Sequence, residues 1–540
     1  MTYLPFPLDH ISPVQEGTFA WQRLLAQRED FPIVPRSLAR SVCVVGAGIA
    51  GLVSSYELNR RGFKVTLLEK GPQAGGRISS ARFPDGSYGE LGAMRVPLLH
   101  SAVTDYVDEF GLSIRPFVNW NPSGRFLIGD VGGTLANLRT SSGSPVGPSA
   151  SDLIANAFPG LRLVRSSSLR DGPYSLMMSL IVQPLLSLLR SEGSEWRLFD
   201  GSSSALLDEW GTCRLSDYAM SDVLGLSSTD WFFVGRAAGI APLGNCTVAQ
   251  FMRDMLPTIL SPSMGEIVGG MGELVSAFLR RLGRTWVETS ATVECIELKG
   301  SSVRVVWKSG RDSYSTKSFD YIIVTVPPVS LNDVRFVGFP DFASHDDALR
   351  RLQMGPLAKT LVHFSDRFWE RLPEPIVGGL SFTDRPSLVF WYPSDNSVRI
   401  RDTTGSVRFR RRSYEASMFP GVITGSYRWG GYAVEHGRSS EAELEEQTIA
   451  DLAAVHEIPR RRIESRVKGF VHKYWEGGYT LANDEARLAL AKPVRDSAGR
   501  PRVFFAGEHL GPLHGWIVSA VLPSLASVKL VLMDILETTR

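Results

Sequence analysis

Residues 41–51 read SVCVVGAGIAG, an apolar run that ends in three closely spaced glycines. The apolar spacing of residues 52–61 is typical of a helix, and the apolar run at residues 63–68 is typical of a buried strand. Strand, glycine turn, helix and strand in this order predict a βαβ unit, and therefore an α/β fold with a parallel sheet.

The glycines and the acid that follows them indicate a dinucleotide-binding turn. Gly46 permits the tight turn, Gly48 lets a pyrophosphate approach the backbone, and Gly51 lets the helix pack closely on the strand. Glu69 lies 18 residues beyond Gly51, close to the ~20 expected for a carboxylate that binds a ribose hydroxyl. This spacing alone is compatible with either NAD or FAD.

Five further motifs are scattered along the chain. Residues 75–77 read GGR, residues 92–95 read GAMR, and residues 266–274 read EIVGGMGEL. Residues 503–509 read VFFAGEH, and residues 514–517 read HGWI. Together with the N-terminal turn, these motifs resemble those of the flavin-dependent amine oxidase family, and the GAMR run resembles that of its L-amino acid oxidase branch.

The resemblance implies FAD as the cofactor. Glu69 would bind the adenosine ribose, Arg77 would lie by the phosphates and the flavin, and Glu508 would contact the ribityl and pyrophosphate region. A solvated loop acid is the alternative interpretation of Glu508. No cysteine follows Cys295 to form a thioether with the flavin, so the FAD is expected to be non-covalent. The residues expected to bind the cofactor are Gly46, Gly48, Gly51, Glu69, Gly76, Arg77, Met94, Arg95, Gly507, Glu508, Trp516 and Ile517.

Arg95 and Tyr427 match the residues that bind the substrate carboxylate in this family. The planar guanidinium of an arginine can donate two parallel hydrogen bonds to a carboxylate, which suits Arg95 to that task. An ion pair with a nearby acid such as Glu90 is the alternative for Arg95. A tyrosine in a strand pattern is more often a core residue, and only the resemblance assigns the Tyr427 hydroxyl to the substrate.

Lys359 and Trp516 complete the set of catalytic candidates. By resemblance, Lys359 holds a water near the reactive flavin nitrogen, and burial would lower its pKa, which suits proton management or oxygen activation. A lysine at the edge of a strand is the alternative. Gly515 and Trp516 match the pair that lines the substrate site of the family, with simple core packing as the alternative for Trp516.

The pocket for the substrate side chain is less well defined. Trp391 and Trp475 could form an aromatic pocket. Asp484 stands where the family has small or apolar residues. A pocket-facing carboxylate for a basic substrate and a solvent-facing turn acid therefore both stay open for it. The sequence does not distinguish among aromatic, apolar and basic substrates.

The cofactor motifs lie far apart, so the α/β fold is expected to contain a discontinuous Rossmann-like FAD-binding domain. A mixed-sheet substrate domain, expected to cover the flavin, and a helical domain would complete the chain. The expected ranges are 40–85, 264–330 and 495–540 for the FAD-binding domain, 1–39, 86–140 and 331–494 for the substrate domain, and 150–262 for the helical domain. Pro523 lies inside the expected C-terminal helix, where it is expected to kink the axis.

Composition argues against nucleic-acid-binding, membrane-binding, metal-binding and disulfide-rich proteins. The 540 residues include 58 basic and 56 acidic ones, so no overall charge is expected to recruit nucleic acid or an anionic membrane. Four widely spaced cysteines without a CxxC pair indicate neither a metal site nor a disulfide framework. The first residues show no signal pattern, so a cytoplasmic location is expected. A homodimer is expected only from the resemblance.

Three segments have two possible interpretations each. The apolar stretches at residues 174–189 and 517–536 contain polar or charged residues and are interpreted as buried helices rather than membrane spans. Six arginines crowd residues 399–412. A solvated loop or hairpin is one interpretation of this segment, and an electropositive funnel for an acidic substrate is the other.

The resemblance implies an L-amino acid oxidase, which converts an L-amino acid and oxygen into a 2-oxo acid, ammonia and hydrogen peroxide. An amino acid 2-monooxygenase, which would give an amide, and an oxidase of amines without a carboxylate are the alternatives within the family. A non-catalytic FAD-containing scaffold is the alternative from another class. The presence of Arg95, Tyr427 and Lys359 together argues against the scaffold.

Overall fold

The structure of the chain is a computed structural model. It describes residues 31–539 except 99, 120, 136–208, 223, 238–243, 245, 253–263, 283–286, 311–312, 402–406, 482–483 and 512. The apolar stretch at residues 174–189 and most of the expected helical domain, 150–262, lie outside the described residues. The described part combines helices with parallel and mixed sheets, and the α/β class expected from the sequence is confirmed.

A six-stranded sheet, called here the parallel sheet, forms around the glycine turn. Its strands stand in the order Val287–Glu288, Lys64–Leu68, Ser41–Val45, Tyr321–Val324, Pro501–Phe505 and Val494–Arg495. Neighbouring strands are parallel except for the last pair. Three distant stretches of the chain supply these strands, as a discontinuous Rossmann-like unit requires.

A seven-stranded mixed sheet, called here the large sheet, forms the second layer. Its order is Val467–Leu481, Gln353–Phe364, Gly421–Trp429, Val389–Tyr392, Gly379–Thr383, Arg125–Ile128 and Val131–Thr134. The pairing is antiparallel except between Gly379–Thr383 and Arg125–Ile128. Lys359 stands directly opposite Tyr427 on the neighbouring strand, so these two side chains share one face of the sheet.

A four-stranded sheet joins the core of the parallel sheet. Its order is Ser313–Phe319, Ser302–Ser309, Ala291–Lys299 and Arg335–Val337. Ala348 and Leu352, which follow it, still pack in the same core as Phe505. After these residues the chain returns at Gln353 to the large sheet, to which Arg125–Ile128 and Val131–Thr134 already belong.

The remaining strands form three smaller sheets. Val96–Pro97, Met264–Ile267 and Ile114–Phe117 form one, with the second strand in the middle, and Ser80–Arg82 pairs with Tyr88–Glu90 in another. In the arginine-rich segment, Ser397–Arg401 pairs antiparallel with Val407–Arg411. This segment is therefore a hairpin rather than an irregular loop.

The helices surround these sheets. They are Ile49–Asn59, Ser101–Glu109, Leu215–Met220, Ser228–Ala237, Gly272–Leu282, Phe342–Arg351, Gly430–Arg438, Glu441–His456, Arg460–Glu464, Asp484–Leu490 and Val518–Thr539. Short 3-10 turns lie at Arg36–Leu38, Pro328–Ser330, Phe368–Arg371, Glu415–Met418 and Glu508–Leu510. The helix after the glycine turn packs in one core with the C-terminal helix.

The C-terminal helix, Val518–Thr539, runs through Pro523 without a break. The hydroxyl of Ser524 donates to the carbonyl oxygen of Ala520 at 2.7 Å, beside the position where the proline lacks an amide proton. Among the described residues, this is the one helix long and apolar enough to cross a membrane, and 72% of its apolar window is buried inside the protein. Such burial is typical of a core helix.

Candidate active site

The glycine turn joins Ser41–Val45 to the helix Ile49–Asn59. Gly46 has a φ of 101°, a left-handed conformation that glycine adopts without a steric penalty. A Cβ at Gly51 would lie 1.8 Å from the carbonyl oxygen of Gly46, so the helix and the turn are in direct contact. The Thr325 hydroxyl donates to the same carbonyl oxygen at 2.9 Å. The neighbouring strand thus fixes the shape of the turn.

Open space lies in front of this helix. A Cβ at Gly48 would meet no protein atom within 4 Å. On one side, Gly76 approaches so closely that its own Cβ would lie 3.2 Å from the Cα of Gly48. The amide of Gly75 donates to the carbonyl oxygen of Ala47 at 2.9 Å and holds the two turns together. Because the N-terminus of a helix attracts anions, the space beside the start of Ile49–Asn59 fits a phosphate group.

Glu69 lies beside the glycine turn. Its carboxylate accepts hydrogen bonds from the amides of Ala47 at 2.7 Å and Gly71 at 2.8 Å. The side chain is only partly buried. Glu69, the acid expected to bind a ribose, therefore lies at the end of the strand Lys64–Leu68. Its hydrogen bonds also stabilise the glycine turn.

Arg77 and Glu508 form an ion pair between distant parts of the chain. Arg77 donates to Oε2 of Glu508 at 2.8 Å, and Glu508 is 4% exposed. The Thr480 hydroxyl donates to the same oxygen at 2.7 Å, and the Gly515 amide donates to Oε1 at 2.9 Å. Burial alone would raise the pKa of Glu508, but Arg77 and the other donors lower it to about 2. Glu508 is thus not a solvated loop acid.

These protein donors give Glu508 a role that the motif did not reveal. Its carboxylate joins Arg77, the end of the strand Val467–Leu481 and the segment that carries Gly515. The preceding Gly507 has a φ of 133°, which places the carboxylate at this junction through a conformation that favours glycine. Its contact with the cofactor stays a prediction.

Lys359 is 0% exposed. Its ammonium group donates to the carbonyl oxygens of Glu90 at 3.1 Å and Gly92 at 2.6 Å. Its Nζ also lies 4.7 Å from the centre of the Tyr427 ring. Burial lowers the pKa of Lys359, and the nearby Glu90 opposes this effect. Lys359 is therefore a buried lysine held against the GAMR segment, and not a lysine at a solvated strand edge.

The carboxylate of Glu90 lies at the N-terminus of the helix Gly272–Leu282. It accepts hydrogen bonds from the amide of Met271 and the hydroxyl of Ser80, each at 2.7 Å. Burial raises its pKa, against these two hydrogen bonds and Lys359. The helix terminus favours a negative charge at this place, and it therefore opposes the effect of burial on Glu90.

Arg95 lies among three aromatic rings. Its Cζ is 4.7 Å from the ring centre of Trp391, 5.5 Å from that of Phe117 and 5.8 Å from that of Trp516. The side chain is partly buried. Guanidinium groups interact favourably with aromatic faces at these distances. The rings thus hold the cation in a largely apolar surrounding.

Tyr427 is a neighbour of the lysine and is influenced electrostatically by this arginine. Its ring packs against that of Trp429, with 4.4 Å between ring centres. Burial raises the pKa of Tyr427, and Arg95 opposes this effect. The phenol therefore keeps its proton at neutral pH and can donate a hydrogen bond.

Trp391 and Trp516 are walls of the same site. Trp391 is 8% exposed, and its indole N–H has no hydrogen-bond partner among the described residues. Trp516 lies edge-on to His100, with 5.6 Å between ring centres. Gly515, with a φ of 72°, is exposed beside it. Arg95, Tyr427, Lys359, Trp391 and Trp516 are thus brought together, although five separate segments supply them.

Trp475 and Asp484 are less central. The indole of Trp475 donates to the carbonyl oxygen of Leu91 at 3.3 Å, and Nζ of Lys473 lies 4.5 Å from its ring centre. Trp475 therefore contacts Leu91, just before the GAMR run, and is not among the rings around Arg95. Asp484 begins a helix, but its side chain lies outside the described residues, so its two interpretations stay open.

Sequence reasoning missed several residues of this site. Phe117, His100 and Thr480 belong to no motif and contact the site only through the fold. His100 is buried, and burial lowers its pKa to about 3, so a neutral ring packs on Trp516. Its place five residues after Arg95 is the only signal that could have indicated it. Among the described residues, no cluster of His, Cys, Asp or Glu could hold a metal ion.

A model of the family described as flavin containing amine oxidoreductase matches residues 49–524. The chain belongs to this family. It is therefore an oxidoreductase that uses a flavin, and the family expected from the motifs is confirmed.

Individual relatives differ in the substrates they are named for. An L-amino-acid oxidase of Siganus canaliculatus is 27% identical over 489 residues, 89% of this chain and 83% of the relative. The flavin-dependent L-tryptophan oxidase RebO of Lentzea aerocolonigenes is 27% identical over 517 residues, 91% of this chain and 97% of the relative. A solved cyclohexylamine oxidase from Brevibacterium oxydans has a TM-score of 0.64 at 15% identity, over 93% of this chain and 100% of that one. The last likeness concerns the fold alone.

Proposed function

We propose that this protein is an FAD-dependent L-amino acid oxidase. The observation that carries the proposal is the position of Arg95, 4.7 to 5.8 Å from three aromatic ring centres and near enough to Lys359 and Tyr427 to lower the pKa of each. A guanidinium in a largely apolar site binds a carboxylate strongly, because the low local dielectric strengthens charge-assisted hydrogen bonds. The relatives named for L-amino acids support the same substrate class.

The glycine turn supports FAD as the flavin. The open space at Gly48, the helix N-terminus behind it and the acid Glu69 at the neighbouring strand suit the pyrophosphate and ribose of a dinucleotide. Gly46, Gly51 and Gly76 would shape this cradle. Bound there, FAD would supply the two-electron acceptor for the oxidation of the carbon–nitrogen bond of the substrate.

The residues of the site have separate tasks in this proposal. Arg95 would bind the substrate carboxylate, and the Tyr427 hydroxyl would donate a further hydrogen bond to it. Trp391 and Trp516 would exclude water from the reacting carbon. Lys359 would hold or move a proton at Nζ, because burial lowers its pKa and makes the neutral amine more accessible than in water.

Mixing the holoprotein with a panel of L-amino acids without oxygen tests the reaction. Bleaching of the yellow flavin by one class of L-amino acid is expected, followed in air by a 2-oxo acid, ammonia and hydrogen peroxide. An amide and carbon dioxide would instead identify an amino acid 2-monooxygenase. A flavin bleached only by amines without a carboxylate would overturn the substrate class, and a flavin that no substrate bleaches would indicate a scaffold.

Substitution of Arg95 by methionine tests the carboxylate site. We expect the dissociation constant of the preferred L-amino acid to rise about a hundredfold, since two charge-assisted hydrogen bonds contribute on the order of 3 kcal/mol. The measurement is the substrate dependence of anaerobic flavin reduction. Arg280→Met, at an exposed position of the helix Gly272–Leu282, is the control and should leave this constant unchanged. Equal constants for the Arg95 variant and the native protein would refute the assignment.

A further inference from the structure

Thr480 lies near the end of the strand Val467–Leu481, at one edge of the large sheet. The residue is 1% exposed. Its hydroxyl donates to Oε2 of Glu508 at 2.7 Å, and its amide donates to Oε1 of the same carboxylate at 3.2 Å. Two hydrogen bonds from one residue fix both the distance and the orientation of the carboxylate relative to the strand.

The carboxylate of Glu508 has a full set of protein donors. Arg77 donates to Oε2 at 2.8 Å, and the Gly515 amide donates to Oε1 at 2.9 Å. Together with the bonds from Thr480, two donors reach each oxygen. A carboxylate has about four lone-pair sites, so the protein engages this one fully before any ligand binds. The position of Glu508 is therefore set in part by Thr480.

The turn at residues 515–516, called here the site turn, has few other constraints on its first residue. Gly515 is exposed and has a φ of 72°, a left-handed conformation that favours glycine. A Cβ at Gly515 would lie 3.8 Å from the Cβ of Tyr479, the one contact within 4 Å among the described residues. The hydrogen bond to Glu508 is thus a main constraint on a backbone that packing leaves open.

Trp516 follows this glycine directly. Its carbonyl oxygen accepts a hydrogen bond from the Ser519 amide at 3.1 Å, which ties one end of the site turn to the C-terminal helix. The bond between Gly515 and Glu508 ties the other end. Because the indole of Trp516 is one wall of the site, 5.8 Å from Cζ of Arg95 at its ring centre, a displaced glycine would move that wall.

Thr480 is held from a third part of the chain as well. The side-chain amide of Gln250 donates to the carbonyl oxygen of Thr480 at 3.2 Å, and Gln250 is 1% exposed. Residues 248–252, which include it, are helical. The hydroxyl, amide and carbonyl groups of Thr480 are therefore all hydrogen-bonded to buried side chains. Loss of one such bond leaves a buried polar group without its partner, which is costly.

We propose that Thr480 is a positioning residue, which acts through Glu508 to hold the site turn against the reacting carbon of the substrate. The inference rests on the proposed function, because only the oxidation of a bound substrate needs this wall in one place. Arg95 and Tyr427 bind the carboxylate from other segments. A displaced indole should therefore slow the chemical step more than it weakens substrate binding, since misplacement by about 1 Å can cost on the order of a hundredfold in rate.

Hydrogen–deuterium exchange of the holoprotein tests whether Thr480 holds the site turn. Thr480→Val removes the hydroxyl but keeps the branched shape, and Thr480→Ser keeps the hydroxyl. In T480V the peptide that contains the site turn should exchange about fivefold faster, the effect of about one hydrogen bond. In T480S it should exchange as in the native protein. If the valine variant does not fold, Thr480→Ala takes its place.

Thr383→Val is the matched control for this exchange. It removes the hydroxyl of another buried threonine at the end of a strand of the large sheet, where it accepts from the Arg385 amide at 3.2 Å. Exchange of the site turn should not change in this variant. Unchanged exchange in T480V would overturn the proposal, whatever reaction the protein catalyses.

Anaerobic mixing with an L-amino acid that bleaches the native flavin tests the effect on the reaction. In T480V the limiting rate of flavin reduction should fall about tenfold or more, and the dissociation constant should stay within about twofold. T480S and T383V should match the native protein in both. An equal loss of rate in T480S, or a raised dissociation constant at an unchanged rate, would contradict the assignment. If no L-amino acid bleaches the native flavin, the proposed function fails and this catalytic role fails with it, whereas unchanged exchange removes the role of Thr480 alone.

Discussion

At the scale of single residues, Lys359 shows how burial changes a side chain. A buried lysine in the middle of the large sheet would destabilise the fold unless its ammonium group had hydrogen-bond acceptors. Here the carbonyl oxygens of Glu90 and Gly92 provide them, at 3.1 and 2.6 Å. Burial still lowers the pKa of Lys359, so the folded state binds its proton less firmly than the unfolded chain does.

This difference predicts a dependence of stability on pH. In the unfolded chain the lysine titrates near pH ~10.4. Between the lowered folded pKa and that value the unfolded state holds the extra proton, so the free energy of unfolding rises with pH, by at most ~1.4 kcal/mol for each pH unit. In Lys359→Met this rise should be missing between roughly pH 8 and pH 10. Urea unfolding across that range measures it.

The exposed Lys64 offers a matched control for this prediction. Lys64→Met removes the same charge from the edge of a strand, without removing a buried ammonium group. Its free energy of unfolding should follow that of the native protein at every pH. A constant difference between native protein and Lys359→Met across the alkaline range would show that Lys359 titrates in the folded state as it does in water.

Residues of the site that lie outside the motifs could not be predicted from the sequence. Arg95, Tyr427 and Lys359 were found by their surroundings in the sequence, and the structure brings them together. Phe117 and His100 were not found, because an aromatic or histidine in an apolar stretch has the same pattern whether it lines a site or packs in a core. Only their distances to Arg95 and Trp516 distinguish the two.

At the scale of elements, a methyl group added to the glycine turn would have different effects at Gly51 and at Gly48. At Gly51 a Cβ would lie 1.8 Å from a backbone oxygen, so the helix has to move. At Gly48 a Cβ would meet no protein atom within 4 Å and would project into the open space in front of the helix. Gly51 is therefore needed for the packing of the helix, and Gly48 leaves room for a ligand.

Alanine substitutions at the two positions should therefore behave differently. Gly48→Ala should keep the melting temperature of the flavin-free protein within a few degrees and lose most of its bound flavin. Gly51→Ala should lower both the melting temperature and the bound flavin, since a forced contact of this kind costs several kcal/mol of stability. Flavin absorbance per protein and thermal melting measure the two effects. Gly431→Ala, also without contacts at its Cβ, is the control, and an unstable Gly48→Ala would contradict the argument.

The C-terminal helix shows an element that local rules predict incompletely. Its apolar character and length follow from the sequence, and Pro523 was expected to kink its axis. The helix continues through Pro523, five residues beyond Val518, because residues on both sides of the proline are buried in the core. Tertiary packing outweighs one missing hydrogen bond.

At the scale of the whole molecule, the flavin site joins segments that are distant in sequence. The parallel sheet takes strands from residues 41–68, 287–324 and 494–505, and the Arg77–Glu508 ion pair links the first to the last. A ligand that contacts all of them binds the folded state only. By linkage it stabilises that state.

Addition of FAD to the flavin-free protein should therefore raise its melting temperature. At a thousandfold excess over the dissociation constant the gain is about 4 kcal/mol. Differential scanning fluorimetry with increasing FAD measures the rise. NAD at the same concentrations is the control, because it shares the adenosine and pyrophosphate but lacks the flavin. A larger rise with NAD than with FAD would refute the assignment of the cofactor.

The sequence by itself determined the βαβ unit around residues 41–68, the flavin family and the main candidates of the site. These depend on local patterns, namely apolar periodicity and the conformational freedom of glycine, which each stretch of chain carries with it. Only the tertiary structure decided the three aromatic rings around Arg95, the buried partners of Lys359 and Glu508, and the return of the chain to the large sheet at Gln353. Such contacts join residues hundreds of positions apart, and packing selects them, since no short pattern encodes the distance between two side chains.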